Sequence, residues 1–182
     1  MIREIVIYGD PVLRKKGKQI DKITEKIRTL AQDMIETMHD AHGVGLAGQQ
    51  VGEPIQLTVI DVSDAENRPS RMWIEGQEVD PKEHMPLVLI NPQLELGRQT
   101  EIAPEGCLSF PEITADIARA EHVKVRALDL DGKPVVFEAE GLLSRAVQHE
   151  TDHLNGILFI DRMNSAAKVT LASKLKKLAA GV

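Results

Sequence analysis

The chain has 182 residues, of which 42% are hydrophobic and 27% charged, so we expect one globular domain spanning residues 1–182. A net charge of −6 gives no indication of binding to nucleic acid or to an anionic membrane, and with an aromatic content of 3% we expect no platform for stacked bases. One cysteine, Cys107, excludes an internal disulfide, and the segment MIREIVIYGDPVLRKKGKQI lacks the apolar run of a signal peptide. We therefore expect a cytoplasmic protein without a membrane span.

The first half of the chain contains one helix and one strand by its residue pattern. Glycine and proline mark residues 9–17 as a loop, and apolar residues spaced by three or four predict a helix over 21–41, with Asp21 as its cap. Four glycines then interrupt the helix within 43–52. The β-branched segment 55–62 predicts a strand.

The middle of the chain begins with a polar stretch and continues with strands. Residues 63–86 are polar and contain several prolines, which predicts a surface excursion that is too long for an ordinary connection. Residues 87–96 again have strand character. Residues 122–141 alternate between apolar and polar side chains around Asp131-Gly132, a pattern that predicts a β-hairpin.

Two more helices are predicted near the C-terminus. Residues 141–154 have few polar positions on one side, and Gly156 ends the helix. Residues 165–181 form a lysine-rich amphipathic pattern, which we interpret as a packed helix with a solvated face. Because helices do not alternate regularly with strands, the predicted class is α+β.

The predicted helix 141–154 contains the sequence QHETDH. His149 and His153 lie four residues apart, so both imidazoles can face a single ion. Glu150 projects about 100° round the helix from His149, where a carboxylate can take a proton from a water at the ion. Two exposed histidines at helical spacing are the alternative, but the flanks LLSRAV and LNGILFI are apolar and favour a buried helix.

A tetrahedral ion that keeps one position for water needs a third protein ligand. Cys107 is a stronger candidate for this ligand than the remaining histidines, because Gly106 and two flanking prolines indicate a loop of defined conformation rather than a core strand. A small buried apolar residue and a lone nucleophile remain alternatives for this cysteine. The remaining histidines fall in surface-like contexts: His39, His42, His84 and His122.

The glycines of GVGLAGQQVG, residues 43–52, match neither a phosphate-binding loop nor a dinucleotide fingerprint. They would let another backbone approach closely, and an extended substrate peptide is one such backbone. A plain glycine-rich turn is the alternative.

Together, GVGLAGQQ (43–50), EGCLS (105–109) and QHETDH (148–153) resemble the three motifs of the peptide deformylase family, in the same order. The resemblance extends to IVIYGDPVLR and TVIDV, and so covers most of the chain. Gly48 stands where the family usually has alanine, which we expect to loosen the loop slightly.

The resemblance implies an α+β fold with mixed or antiparallel sheets around the helix that carries the histidines. It implies a hydrolase that removes the formyl group from N-formylmethionyl nascent polypeptides. The implied roles fall into four groups: metal ligands Cys107, His149 and His153; proton transfer by Glu150; oxyanion donors Gln50 and the backbone N–H of Leu108; and substrate backbone contacts at Val44, Gly45 and Gly106.

The implied cofactor is Fe²⁺, replaceable by Zn²⁺, Ni²⁺ or Co²⁺, whereas geometry alone would suggest zinc. Leu142 and Val44 are expected walls of a methionine pocket. For Arg145, one turn before His149, we expect an aliphatic stem along the pocket and a head in solvent. The sequence leaves open whether the lysine-rich tail contacts the ribosome.

Two other functions fit parts of the sequence. A metallopeptidase with the same His-Glu-x-x-His motif would cleave internal peptide bonds, but the sequence after His153 offers only Asp161 as a further ligand, at no recognised spacing. A non-catalytic metal-bound peptide-binding domain would close the fourth position with protein, and no fourth ligand is evident.

Overall fold

The structure is a computed structural model that describes residues 1–182. It contains three α-helices: α1 (Glu25–Asp40), α2 (Leu142–Leu154) and α3 (Ser165–Ala179). It contains nine strands: β1 (Gly45–Ala47), β2 (Leu57–Ile60), β3 (Ser70–Ile74), β4 (Gln77–Val79), β5 (Leu87–Leu96), β6 (Thr100–Gly106), β7 (Thr114–Ala120), β8 (His122–Leu128) and β9 (Pro134–Gly141).

The strands form two separate sheets. Seven of them pair in the order β1-β2-β5-β8-β9-β3-β4, while β6 and β7 form a hairpin of their own. Every strand pairing is antiparallel. The α+β class is confirmed, and of the two sheet types expected from the resemblance the antiparallel one is present.

Helix α2 is the central element of the fold. Twelve of its thirteen residues are buried. Its N-terminal half packs with strands of the large sheet in one apolar cluster that includes Leu143 and Val147. The predicted helix 141–154 is therefore confirmed, and its buried residues include polar and charged side chains that need partners inside the protein.

Both faces of the large sheet are covered at strand β2. Leu57 and Val59 pack with α1, whereas Ile60 belongs to the cluster around α2. This alternation follows from the two-residue period of a strand and explains why all four residues of β2 are buried. Helix α3 lies at the periphery, where its leucines pack against a third cluster and its lysines stay exposed, as predicted.

The start of α1 differs from the prediction. Thr24 rather than Asp21 is the cap, and its hydroxyl accepts from the N–H of Ile27 at 3.4 Å. Ile23 lies in the loop before α1 and packs against the same apolar cluster as the buried side of α1. Its position in the sequence therefore continues the helical pattern.

Residues 63–86 are more ordered than the predicted surface excursion. They contain β3 and β4, and β3 pairs with β9 so that the large sheet gains two strands. Within β3 only Met72 is fully buried, at 1% exposure, so the segment carries almost no apolar pattern that would reveal a strand. The β6–β7 hairpin was also not predicted, because TEIAPEG and TADIARA are poor in β-branched residues.

Gly48 does not loosen its loop. The residue is buried, and a Cβ at this position would overlap the backbone carbonyl oxygen of Glu53. A glycine is required here because the two backbone segments pack in direct contact.

Gly141 joins β9 to α2 with φ +73° and ψ −144°, a conformation nearly confined to glycine. A Cβ there would also overlap the carbonyl group of Pro69, which accepts the N–H of Leu142. We therefore expect Gly141→Ala to lower the free energy of unfolding by about 3 kcal/mol in urea denaturation.

Gly76→Ala is the control, since Gly76 also has a positive φ, +77°, but has open space around its Cα. This variant should lose only about 1 kcal/mol. Equal losses in the two variants would show that the contact with Pro69 is not what requires a glycine at 141.

Candidate active site

Three side chains of types that commonly bind metal ions lie close together. Cys107 follows the last residue of β6, and α2 presents His149 and His153 on one face. One ligand atom from each of the three lies within 4.8 Å of the other two. The sulfur of Cys107 is 3.3 Å from Nε2 of His153. The fold therefore brings Cys107 next to the two histidines, although more than forty positions of the chain separate them.

The orientation of His149 is fixed by a carboxylate. Its Nδ1 is 2.8 Å from Oε2 of Glu105, which leaves Nε2 for an ion. One thiolate and two imidazoles are a donor set that suits zinc or iron(II). These protein groups therefore fit a divalent metal ion.

Glu150 is buried beside this cluster at 4% exposure, and its Oε2 has no hydrogen-bond partner in the protein. Burial raises the pKa of this carboxyl to about 7. A Cβ on Gly45 would lie 2.6 Å from Oε1 of Glu150, so the carboxylate occupies space that only a glycine leaves free. The glycine predicted to contact substrate thus also makes room for the buried carboxylate.

Gln50 and Leu108 place hydrogen-bond donors near the sulfur. The side-chain oxygen of Gln50 accepts from the N–H of Ala47 at 2.9 Å, which turns its amide nitrogen toward Ser109 at 3.1 Å and the Cys107 sulfur at 3.6 Å. The backbone N–H of Leu108 donates to no other group of the chain.

A cavity of about 500 Å³ opens above these groups. Nine of the ten sequence-predicted site residues line it: Val44, Gly45, Gln50, Gly106, Cys107, Leu108, Leu142, His149 and Glu150. The tenth, His153, is fully buried and reaches the cluster from the next turn of α2.

A line of buried charges continues from His149 into the protein. Glu105 receives two hydrogen bonds from Arg119, at 3.1 and 2.7 Å. Arg119 also donates to Asp152 at 2.6 Å, and Asp152 receives two further bonds from Arg162 at 2.6 and 2.8 Å. Three charged side chains, Glu105, Arg119 and Asp152, thus connect the ring of His149 to the partly exposed Arg162.

These contacts decide the charge states of the site. Burial acts to raise the pKa of Glu105, but hydrogen bonds from His149 and Arg119 lower it to about 2. Among the protein groups alone, burial opposes a charge on His149, yet its bonds to Cys107 and Glu105 raise its pKa. Burial and the charge of His149 lower the pKa of His153.

Arg145 is placed differently from the prediction. Its head does not reach solvent: the residue is only 6% exposed, and its guanidinium donates to the backbone carbonyls of Glu101, Ala103 and Ile117 at 2.6–3.2 Å. These acceptors belong to the β6–β7 hairpin, whose existence the sequence did not indicate. Arg145 therefore attaches that hairpin to α2.

Sequence reasoning missed Arg119 and Asp152, and gave Glu105 no role of its own. Glu105 stands in the quoted EGCLS motif and Asp152 in QHETDH, so proximity to a motif was the only available signal. Nothing in the sequence distinguishes Arg119. His39, one of the four other histidines, pairs with Asp61 at 2.9 Å away from the cluster.

None of the three helices combines the length and apolar character needed to cross a bilayer.

Comparisons with known proteins agree with this site. The family model for polypeptide deformylase matches residues 2–169. The chain is 49% identical to a peptide deformylase of Methylacidiphilum infernorum over 181 residues, covering 100% of this chain and 95% of the relative. It is 42% identical to a peptide deformylase of Opitutus terrae over 182 residues, covering 98% and 94%.

Solved structures show the same similarity in three dimensions. A peptide deformylase from Legionella pneumophila superposes with a TM-score of 0.82 at 37% identity, covering 97% of this chain and 95% of the other. A peptide deformylase from Thermotoga maritima gives a TM-score of 0.77 at 40% identity, covering 90% and 99%.

The fold, the possible metal site and these relatives together define the chain as a metal-dependent hydrolase. More specifically, the chain belongs to the polypeptide deformylase family, whose members remove the N-terminal formyl group from polypeptides. This membership favours deformylation over internal peptide-bond cleavage and over a non-catalytic binding domain.

Arg119 is the only partner shared by Glu105 and Asp152, and its side chain is 2% exposed. Arg119→Met leaves two buried carboxylates with one cation fewer. We therefore expect the free energy of unfolding of the metal-free protein, measured by urea denaturation, to fall by about 3 kcal/mol.

Arg162→Met is the matched control. It removes the other cation of Asp152, but the Arg162 side chain is 43% exposed, so the loss should be about 1 kcal/mol. If Arg162→Met were as destabilising as Arg119→Met, the central position of Arg119 in the network would be refuted.

Proposed function

We propose that Cys107, His149 and His153 bind one divalent metal ion, and that this centre hydrolyses the formyl group of N-formylmethionyl polypeptides to formate and a free amine. One observation carries the proposal. Three donors from two separate segments converge within 4.8 Å, next to a buried carboxylate with an unpartnered oxygen. Three protein ligands with the next position left to solvent are typical of catalytic rather than structural metal sites.

When bound, the metal supplies polarisation of the formyl carbonyl and lowers the pKa of water enough for hydroxide to exist near neutral pH. Glu150 accepts the proton that the attacking water loses and delivers it to the nitrogen of the departing amine. Its burial and its unpaired Oε2 suit this exchange, because no protein cation competes for that oxygen.

The amide nitrogen of Gln50 and the N–H of Leu108 donate to the formyl oxygen as it becomes negative. The bond from Ala47 fixes the amide of Gln50 in the required orientation, and the N–H of Leu108 has no other acceptor. Donors placed in advance stabilise a developing oxyanion by about 3–4 kcal/mol each.

The substrate backbone binds as an added strand. β1 is the edge strand of the large sheet, so one side of Val44 and Gly45 remains available for pairing, and Gly106 faces the same cavity. Leu142 forms a wall of the pocket for the methionine side chain. The carbonyl carbon of a formyl group carries a hydrogen where that of an acetyl group carries a methyl group. A narrow site at the metal therefore admits the formyl group and excludes the acetyl group.

We propose Fe²⁺ as the native ion, with Zn²⁺, Ni²⁺ or Co²⁺ able to replace it, since one sulfur and two nitrogens accommodate each of them. Nascent chains carry their formyl group as they leave the ribosome. The proposed place of action is therefore the cytoplasm, near translating ribosomes.

Glu150→Gln tests the proposal. The amide keeps the shape of the side chain but cannot accept a proton, so formate release from formyl-Met-Ala-Ser should fall about 10²- to 10⁴-fold. Metal content, measured on the same samples, should stay at one ion per chain.

Glu121→Gln, an identical change at an exposed position outside the cavity, should retain wild-type turnover. Normal formate release by Glu150→Gln would end the assignment of this carboxylate. Background formate release by the wild-type protein, with internal cleavage of an unformylated peptide, would instead support a metallopeptidase.

A further inference from the structure

Arg68 lines the active-site cavity from the segment between β2 and β3. Its position is fixed by the next two residues. The carbonyl of Pro69 accepts from the N–H of Leu142 at 3.1 Å, and the hydroxyl of Ser70 accepts from the N–H of Leu143 at 3.0 Å. Arg68 is therefore tied to the first turn of α2, where Leu142 forms the proposed methionine pocket.

The guanidinium of Arg68 is exposed and makes no ion pair or hydrogen bond with another residue. Arg71, three residues later, shows the contrasting case. It pairs with Glu78 at 2.8 Å and lies 4.9 Å from the ring centre of Trp73, and it does not line the cavity. Of these two arginines, only Arg68 presents an unpaired positive charge to a bound substrate.

The same wall carries a second cation. Arg145 lies close enough that the charge of Arg68 adds to burial in lowering its pKa. Its own nearest carboxylate, Glu105 at 3.6 Å, is already shared with Arg119 and His149. Two cations, Arg68 and Arg145, therefore lie on this wall, while the charges of Glu105 and Glu101 act on Arg145 in the opposite sense.

Two other ionisable groups lie at the cavity. His42 precedes Gly43 on the β1 side, and Glu112 follows Cys107 on the segment before β7. Neither residue lies in the segment that contains Arg68 and is hydrogen-bonded to the first turn of α2 through Pro69 and Ser70. Glu112 supplies a negative charge at a different part of the rim, so the charge of Arg68 is not cancelled by an ion pair.

The geometry of an extended peptide relates this charge to one substrate residue. Side chains of a strand alternate, so the first and third residues point to the same face, about 7 Å apart. If the first side chain enters the pocket at Leu142, the third side chain lies over the rim of that pocket, where Arg68 is exposed. The second side chain points to the opposite face.

We propose that Arg68 is a specificity-determining residue that favours nascent chains with Asp or Glu at the third position over chains with Lys or Arg there. This inference rests on the proposed function, because it presumes that the cavity binds a formylmethionyl chain as an added strand. An exposed ion pair supports a modest preference, about two- to fivefold in kcat/KM. The effect should lie in KM, since the contact is the same in the ground state and the transition state.

The experiment compares three substrates, formyl-Met-Ala-Xaa-Ser-amide with Xaa as Glu, Gln or Lys, in which the amide removes the terminal carboxylate. Formate release is measured for the wild-type metal-loaded protein, Arg68→Gln, Arg68→Glu and Arg71→Gln. Arg71→Gln removes the same charge three residues later, in β3, from a side chain that does not line the cavity. A fourth substrate, formyl-Met-Glu-Ala-Ser-amide, moves the acid to the second position.

We expect wild-type protein and Arg71→Gln to prefer Glu over Lys at the third position by about two- to fivefold, and 0.5 M NaCl to reduce this ratio. Arg68→Gln should bring the ratio close to one, and Arg68→Glu should reverse it. The proposal would be overturned if the preference for Glu over Lys persisted in Arg68→Gln, or if Arg71→Gln lost it to the same extent. A stronger preference for an acid at the second position than at the third would also overturn it. Absence of formate from all substrates, including the Gln peptide, would refute the proposed function instead.

Discussion

The site depends on the attachment of the β6–β7 hairpin to α2. This hairpin is not paired with the large sheet, yet it carries the backbone that leads directly into Cys107. Its strands are connected to α2 by buried polar contacts: Arg145 donates to three of its carbonyls, and Glu105 binds His149. A small displacement of the hairpin would take the sulfur out of reach of both histidines.

Polar contacts suit this task better than apolar ones because they are directional. Buried ion pairs contribute little net stability, since desolvation of the charges offsets most of their attraction. They do, however, fix distances and angles. The two hydrogen bonds from Arg119 to Glu105 orient the carboxylate that in turn orients His149, and Asp152 places Arg119 from the helix side. The same residues therefore position both halves of the donor set.

Apolar packing supplies the stability that these contacts lack. The large sheet carries α2 on one face and α1 on the other, and a separate cluster joins the hairpin to the C-terminal segment through Ile117, Phe110 and Phe159. Phe110 stacks edge-on against Phe159 with ring centres 5.0 Å apart. The loop that contains Cys107 is thus anchored by an aromatic contact on one side and by charges on the other.

The sequence predicted what local patterns encode. Helix α2, helix α3 and the β8–β9 hairpin each have a period or a turn of their own, and His149, Glu150 and His153 were recognisable from spacing on one helix. Cys107 was identified as a candidate ligand from its loop, and as a ligand only through the resemblance. Arg119, the burial of Arg145 and strand β3 were not predictable, because each depends on contacts between residues far apart in the chain. The role of Gly45 beside Glu150 likewise arises only where β1 meets α2.

The most direct test is X-ray absorption at the metal edge of protein purified without oxygen. The proposed Fe²⁺ centre predicts an iron edge, and the three proposed protein ligands predict one sulfur and two imidazole nitrogens bound to the metal, with a remaining light ligand that exchanges with solvent. A spectrum without sulfur, or with all positions taken by protein atoms, would contradict the proposed centre.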